Sequence, residues 1–166
     1  HPYPAPGHPR RPPPHAGLSH DFRYTENGQL SHYSDGQGRI TRYRYEHGFS
    51  QPAERIDPAG YSLHYEYDSE RLLSALINQN GDRHTFVYDA EERLIQETGF
   101  DGRVQDYHYN AAGHLIRHID SGIIVTDFQR DALGQRLKKE SRSRLDDSQP
   151  AECTHYRYDK LGRLSE

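Results

Sequence analysis

Along most of this chain, apolar or aromatic residues alternate with polar ones in short stretches. Leu63, Tyr65 and Tyr67 occupy every second position, as do His84, Phe86 and Tyr88, and Leu115, Arg117 and Ile119. A period of two over about six residues puts alternate side chains on opposite faces of a β-strand. Gly or Pro interrupts the pattern every ~10–12 residues, and the 3.6-residue period of a helix is missing. The pattern predicts short strands joined by tight turns.

The strands recur with a fixed spacing. An aromatic-x-Tyr pair reads Phe22-Arg23-Tyr24, Tyr43-Arg44-Tyr45, Tyr65-Glu66-Tyr67, Phe86-Val87-Tyr88, Tyr107-His108-Tyr109 and Tyr156-Arg157-Tyr158, with a degenerate copy at Phe128-Gln129-Arg130. The third residues fall at 24, 45, 67, 88, 109, 130 and 158, so the steps are 21, 22, 21, 21, 21 and 28. The last step carries a seven-residue polar insertion within 141–150. Self-similarity of this kind marks a repeat architecture.

Each repeat holds two turn signals. One follows the Tyr pair, with glycine at Gly28, Gly113 and Gly162; the other lies half a repeat on, at Gly38, Gly60, Gly81 and Gly102. Asp or Asn opens many of these turns and bonds nearby amides, while Gly three residues later tolerates positive φ. Asp57-Pro58-Ala59-Gly60 has the favoured residue at three of four type I positions. One repeat is therefore one β-hairpin. The predicted fold is all-β: tandem antiparallel hairpins of about 21 residues in one continuous sheet. A twisted open sheet rarely exceeds ~10 strands without curling, so about thirteen strands should coil into a spiral or wall. Tyr43, Tyr65, Phe86 and Tyr107 hold equivalent places and are expected side by side on one face.

Composition refines this picture. Leu, Ile, Val and Phe total only 29 of 166 residues, but net charge is −4 and there are 13 Tyr. The chain should be ordered but thinly cored, with Tyr as the main packing residue. Its 21 basic and 25 acidic residues create no field for nucleic acid. Arg outnumbers Lys 18 to 3, which favours stacking on aromatic rings and bidentate carboxylate pairs. A single cysteine, Cys153, excludes an internal disulfide, and no apolar run is long enough to span a membrane as a helix.

The ends differ from the middle. Seven of the ten prolines lie in the first fourteen residues, so 1–20 is expected to be an extended arm and 21–166 the repeat array. There is no Met and no signal peptide, and the final hairpin lacks its second strand; both suggest a piece of something longer.

The intact run Tyr156-Arg-Tyr158-Asp159-Lys-Leu-Gly162-Arg163-Leu164, echoed at Tyr67-Asp68 and Tyr88-Asp89, resembles the tyrosine-aspartate (YD) repeat of the Rhs family. That family includes bacterial Rhs polymorphic toxins, the B and C components of Tc toxins, and teneurins. The resemblance covers Phe22 to Glu166. Four copies depart from it: Glu46-His47-Gly48 is one residue short, Arg71 and Glu92 stand where turn glycines are expected, and Arg130 replaces the Tyr. The resemblance implies a spiralling β-sheet that closes into a hollow shell around a C-terminal toxin, in a bacterial protein delivered by a secretion system. It further implies that the partners are other repeats of the same chain and the toxin domain, with glycans as a second possibility through carbohydrate binding or adhesion. No segment matches the family's self-cleaving aspartyl site.

The chemistry-bearing residues add little. His114 and His118 would stand about 13 Å apart on a strand, too far to share a metal. Asp146-Asp147 lies in the polar insertion, and Cys153 with His155 lacks an orienting acid. No catalytic, cofactor or metal residue is expected. Two non-enzymatic readings remain, an enclosing wall and a recognition surface of Tyr and Arg. Regularity favours the wall, because a sugar site needs only one or two clustered aromatics.

Overall fold

A computed structural model describes residues 19–146 and 148–165. The proline-rich arm lies almost wholly outside them. The chain divides into two compact units, His1–Ser62 and Leu63–Glu166. Among the described residues there are thirteen strands and no helix. No helix is therefore long and apolar enough to cross a membrane.

The first unit is an antiparallel meander of β1 (Asp21–Tyr24), β2 (Leu30–Ser34), β3 (Ile40–Tyr45) and β4 (Pro52–Ile56), in that order. The second continues the pattern from β5 (Ser62–Tyr67) through β6 (Leu73–Asn78), β7 (Arg83–Tyr88), β8 (Leu94–Thr98), β9 (Val104–Tyr109), β10 (Leu115–Asp120), β11 (Ile124–Arg130), β12 (Arg136–Ser143) and β13 (Glu152–His155). Here too each strand pairs with its neighbours in chain order. Among the described residues of each unit, no strand contacts a non-neighbour. The hairpin-repeat, all-β class expected from the sequence is the class observed.

The turns explain why Asp and Gly recur. At Asp57 the backbone N–H donates to Tyr61 O at 3.0 Å, and Gly60 N–H donates to Asp57 O at 3.0 Å. The Asp57 side chain then accepts from the N–H groups of Ala59 and Tyr61 at 2.9 and 3.0 Å. Gly60 has φ 92, the left-handed residue that closes a three-residue hairpin loop. The same pattern recurs at Asp35, Asn78, Asp89, Asp131 and Asp159. First and second turns are chemically alike, and the carboxylate or amide acts as a template for each.

The departures are accommodated. Arg71 and Glu92 adopt φ 66 and 61 and their turns keep both backbone bonds. Gly48 takes φ 83 at the third place of a turn closed by Phe49 N–H to Glu46 O, as a type II turn requires. Sequence reasoning passed over two turns. Asp131-Ala-Leu-Gly134 carries the full signal but follows the degenerate copy, and Ser121-Gly122 lacks the Asp-x-x-Gly spacing. Ser121 and Gly122 have φ 52 and 70, the paired positive values of a type I′ turn.

A β-bulge recurs that the alternating pattern did not predict. The register slips between Arg23 and Tyr24, Arg44 and Tyr45, Glu66 and Tyr67, Val87 and Tyr88, and Gln129 and Arg130, and opposite Tyr109 at Leu115/Arg117. One extra residue on the second strand of each hairpin is absorbed there, such as Ile95 or Ile116. This corrects the alternation read for Leu115, Arg117 and Ile119. Leu115 pairs with Tyr109, whereas Arg117 and Ile119 pair with His108 and Asp106 on the opposite face. Bulges also raise local twist, which a long meander needs.

Burial is shallow. Among the described residues only Ala75 and Val125 are fully buried apolar side chains, and Thr126, next to Val125 on β11, is a buried polar one. Most strand residues are half-buried, as a sheet without a covering layer dictates.

Two substitutions test the turn account. Glu92→Gly should stabilise the protein by about 1 kcal/mol in denaturant melts, because it relieves a left-handed non-glycine residue. Arg71→Gly should gain less, since Arg71 stacks over Tyr67 at 4.9 Å and that contact is lost. Conversely, Gly134→Ala should destabilise by more than 1 kcal/mol, roughly, for two reasons: φ is 83, and the added Cβ would overlap the His114 imidazole.

Candidate functional surface

Cross-strand partners share a face, so the register sorts the second unit into two surfaces. One carries the Tyr pairs: Tyr65 and Tyr67, Phe86 and Tyr88, Tyr107 and Tyr109, then Phe128. The other is salt-bridged. There Arg83 meets Glu66 at 2.5 Å, Gln96 donates to Asp106 at 2.8 Å, and Asp127 lies 2.6 Å from Arg117 and 3.4 Å from Arg142. In the first unit Arg44 and Glu54 pair likewise at 3.0 Å. These pairs are largely exposed and contribute little each.

Within the second unit the equivalent aromatics Tyr65, Phe86 and Tyr107 share a face, but they do not stack directly on one another. Successive hairpins put them two strands, roughly 9–10 Å, apart. A residue of the intervening strand fills each gap. Leu76 is opposite Tyr65 and His84, Glu97 is opposite Phe86 and Gln105, and His118 is opposite Tyr107 and Thr126. The ring contacts follow from this. Tyr107 stacks on His118 with centroids 5.1 Å apart, and His84 stacks on Phe86 at 4.6 Å. In the first unit Phe22 and Tyr33 meet at 5.2 Å.

The last Tyr of the pair has a separate task. Tyr45 donates its hydroxyl to Leu30 O at 2.9 Å, Tyr88 to Leu73 O at 2.9 Å, and Tyr109 to Leu94 O at 2.6 Å. In each case the acceptor lies fifteen residues earlier, at the start of the preceding strand. The tyrosine thus ties its hairpin to the one before. In the degenerate copy Arg130 does the same work, its Nε donating to Leu115 O at 3.0 Å. Tyr24, in the first described strand, is exposed. Tyr158 pairs with Leu164 in an isolated bridge.

The Asp and Arg of the Tyr-Asp-x-x-Gly-Arg run form a clasp on the turn. Arg93 Nε donates to Asp89 at 2.7 Å and Arg163 to Asp159 at 2.8 Å; Arg39 and Asp35 make the same contact at a second-type turn, at 2.7 Å. The carboxyls of Asp35 and Asp159 are held below the ordinary range, first by the backbone N–H of that arginine and then by its guanidinium. Arg93 also lies 5.1 Å over the Tyr109 ring, linking one turn to the next hairpin. Asp68 accepts the Leu72 N–H at 2.9 Å, and leucine stands at the position four residues on that arginine holds in the clasps.

A continuous polar row crosses β7 to β10 on the tyrosine face. His84 Nε2 lies 3.3 Å from Glu97, whose other oxygen accepts the Tyr107 hydroxyl at 2.8 Å. Gln105 contacts His118 and donates to Asp120 at 2.8 Å. Burial and then the Glu97 contact push the Tyr107 phenol up to about 12. Burial also raises Tyr45, Tyr88 and Tyr109. Sequence reasoning did not single out this row, because none of its acids and histidines is regular in the repeat.

Residues considered for chemistry fall apart. The His114 ring lies against Gly134, whereas His118 sits on β10 against Tyr107. Cys153 and His155 are on β13 opposite Glu140 and Lys138. Asp146 caps Ser148 at 3.0 Å, and Asp147 lies outside the described residues. Among the described residues no three His, Cys, Asp or Glu side chains group as a metal site.

This geometry defines a class: tandem antiparallel hairpins tied by a tyrosine hydroxyl and clasped by Asp and Arg at the turn. The chain belongs to the Rhs/YD-repeat family. It is similar to Double-stranded DNA deaminase toxin A of Burkholderia cenocepacia, 33% identical over 169 residues, which cover 95% of this chain and 11% of that protein. Probable deoxyribonuclease RhsA of Dickeya dadantii is 31% identical over 88 residues, 52% of this chain and 6% of that protein. tRNA nuclease WapA of Bacillus subtilis is 30% identical over 109 residues, 61% of this chain and 4% of that protein. The chain thus spans about a tenth or less of the length of these relatives. No family model matches it. Among solved structures, the fold is that seen in TcdB2-TccC3-Cdc42, with TM-score 0.66 and 15% identity over 87% of this chain and 9% of that one. It is likewise seen in TcdB2-TccC3, with TM-score 0.57 and 14% identity over 82% of this chain and 10% of that one.

Tyr88→Phe should cost about 1 kcal/mol by denaturant melting, since it leaves Leu73 O without its donor. Alkali should act on the same hydroxyls. A phenol raised in the folded state stabilises fully below its unfolded value near 10. That contribution is lost as pH rises toward about 12, the folded value of Tyr107. Melts run alongside phenolate absorbance should show stability falling in that window, and Tyr107→Phe should flatten the fall.

Proposed function

We propose that this array is a stretch of wall in an Rhs-type shell, in an exported bacterial protein whose C-terminal toxin domain the shell encloses. The array itself performs no catalysis. Its partners are further repeats of the same chain and the enclosed domain. The observation that carries this reading is how little each unit buries. Among the described residues of each unit, strands touch only their chain neighbours, and Ala75 and Val125 are the fully buried apolar side chains. A sheet of this kind separates two sides instead of surrounding its own core. Relatives named for deaminase, deoxyribonuclease and tRNA nuclease activities support a toxin context, since the shared repeat accompanies different chemistries.

Limited proteolysis of the full-length protein tests the wall. The C-terminal domain should resist protease in the intact protein and become cleavable when one 21-residue repeat is excised. Equal cleavage in both would contradict enclosure. Saturable binding of a glycan at micromolar concentration would instead favour a recognition surface.

A further inference from the structure

One hairpin departs from the others at two positions that face each other. In five hairpins the last tyrosine of the pair is opposite a leucine six residues on, as Tyr24 with Leu30, Tyr67 with Leu73, Tyr88 with Leu94, Tyr109 with Leu115 and Tyr158 with Leu164, and in the hairpin with the longer turn Tyr45 is opposite Pro52. In the remaining hairpin of this form both residues are arginine, and Arg130 is opposite Arg136. A tyrosine–leucine contact has become two like charges on neighbouring strands, an arrangement that destabilises a sheet by itself.

The surroundings do not neutralise the pair. Arg39, Arg44, Arg83, Arg93, Arg117 and Arg163 each meet a carboxylate. Among the described residues none meets Arg130 or Arg136. Arg130 spends Nε on Leu115 O and one terminal nitrogen on Gly134 O, at 3.0 and 2.8 Å. Among the described residues the Arg136 side chain makes no hydrogen bond, and its Nε is buried without a partner. Such a donor costs free energy as it stands. Its guanidinium is held in place all the same, 4.7 Å from the Phe128 centroid and 5.6 Å from that of Tyr156. Arg130, Arg136, Tyr156, Tyr158 and Leu164 line an open pocket on this face.

We propose that Arg130 and Arg136 form a carboxylate-binding site. The Arg136 guanidinium, bracketed by the Phe128 and Tyr156 rings, and the remaining terminal nitrogen of Arg130 suit a flat, singly charged anion. The carboxylate comes either from an acidic side chain elsewhere in the full-length protein or from a free carboxylate in solution. The site does not depend on the shell reading and stands or falls separately.

The test compares the full-length protein with its R130Y/R136L variant, which restores the pair used by the other hairpins. Thermal midpoints are read in acetate, in phosphate and in chloride at matched ionic strength. A site filled from solution makes the variant the more stable protein in chloride, and acetate closes the gap by raising the wild-type midpoint saturably by a few degrees. A site filled by the protein's own side chain makes the variant less stable by a few degrees, with a deficit that shrinks as chloride is added and no response to acetate. A variant at least as stable as wild type with no acetate response overturns the proposal. So does a salt-independent deficit, which marks mere packing, or a phosphate response equal to or larger than that of acetate.

Discussion

The hydroxyl of the last tyrosine in each pair is the tie on which the array depends. Backbone ladders alone would hold strands together, but they do not fix one hairpin's orientation on the next. Tyr45, Tyr88 and Tyr109 each reach a carbonyl fifteen residues back, so each locks its own strand to the opening of the strand before it. With almost no fully buried apolar side chain available, this directional bond replaces part of what a hydrophobic core does in a compact domain. The phenol is suited to both halves of the task. Its ring covers neighbouring side chains while its tip satisfies a carbonyl. Arg130 shows that the tie matters more than the residue, because a guanidinium supplies the same donor to the same carbonyl.

The 21-residue period and the bulge are one fact. From Tyr88 to its partner Leu94 is an even step of six, but from Leu94 to Tyr109 is fifteen, an odd number. Side chains alternate along a strand, so an odd step would send successive tyrosines to opposite faces. The residue absorbed at each bulge restores the parity. The longer step from Tyr45 to Tyr67 obeys the same rule, because the extra residue is taken up in the turn at Gly48, where Tyr45 pairs with Pro52. Fifteen residues again separate Pro52 from Tyr67.

Much of this was legible in the sequence, and the reason is local. Turns that end on glycine form from residues a few positions apart, so those opening on Asp or Asn at Gly38, Gly60, Gly81, Gly113 and Gly162, on Thr25 at Gly28 and on Gly99 at Gly102 could be read directly, all with positive φ. Arg71 and Glu92 hold left-handed turns that their residue types disfavour, because the flanking Asp templates and strand pairs impose them. What escaped was non-local. The tyrosine-to-carbonyl tie spans two hairpins. The separation of Phe86 from Tyr107 by the intervening Glu97 follows from register, and the Arg130–Arg136 pair becomes visible only when opposite positions are set side by side.

The array coheres through neighbour ties and not through a common core. Native-state hydrogen exchange across the strands tests it most directly. Protection should be highest in β7 to β9 and decline hairpin by hairpin toward β13, and Tyr88→Phe should lower it chiefly in β6 and β7. Uniform protection that collapses everywhere at once on that substitution would contradict the account, because it would reveal a single cooperative core.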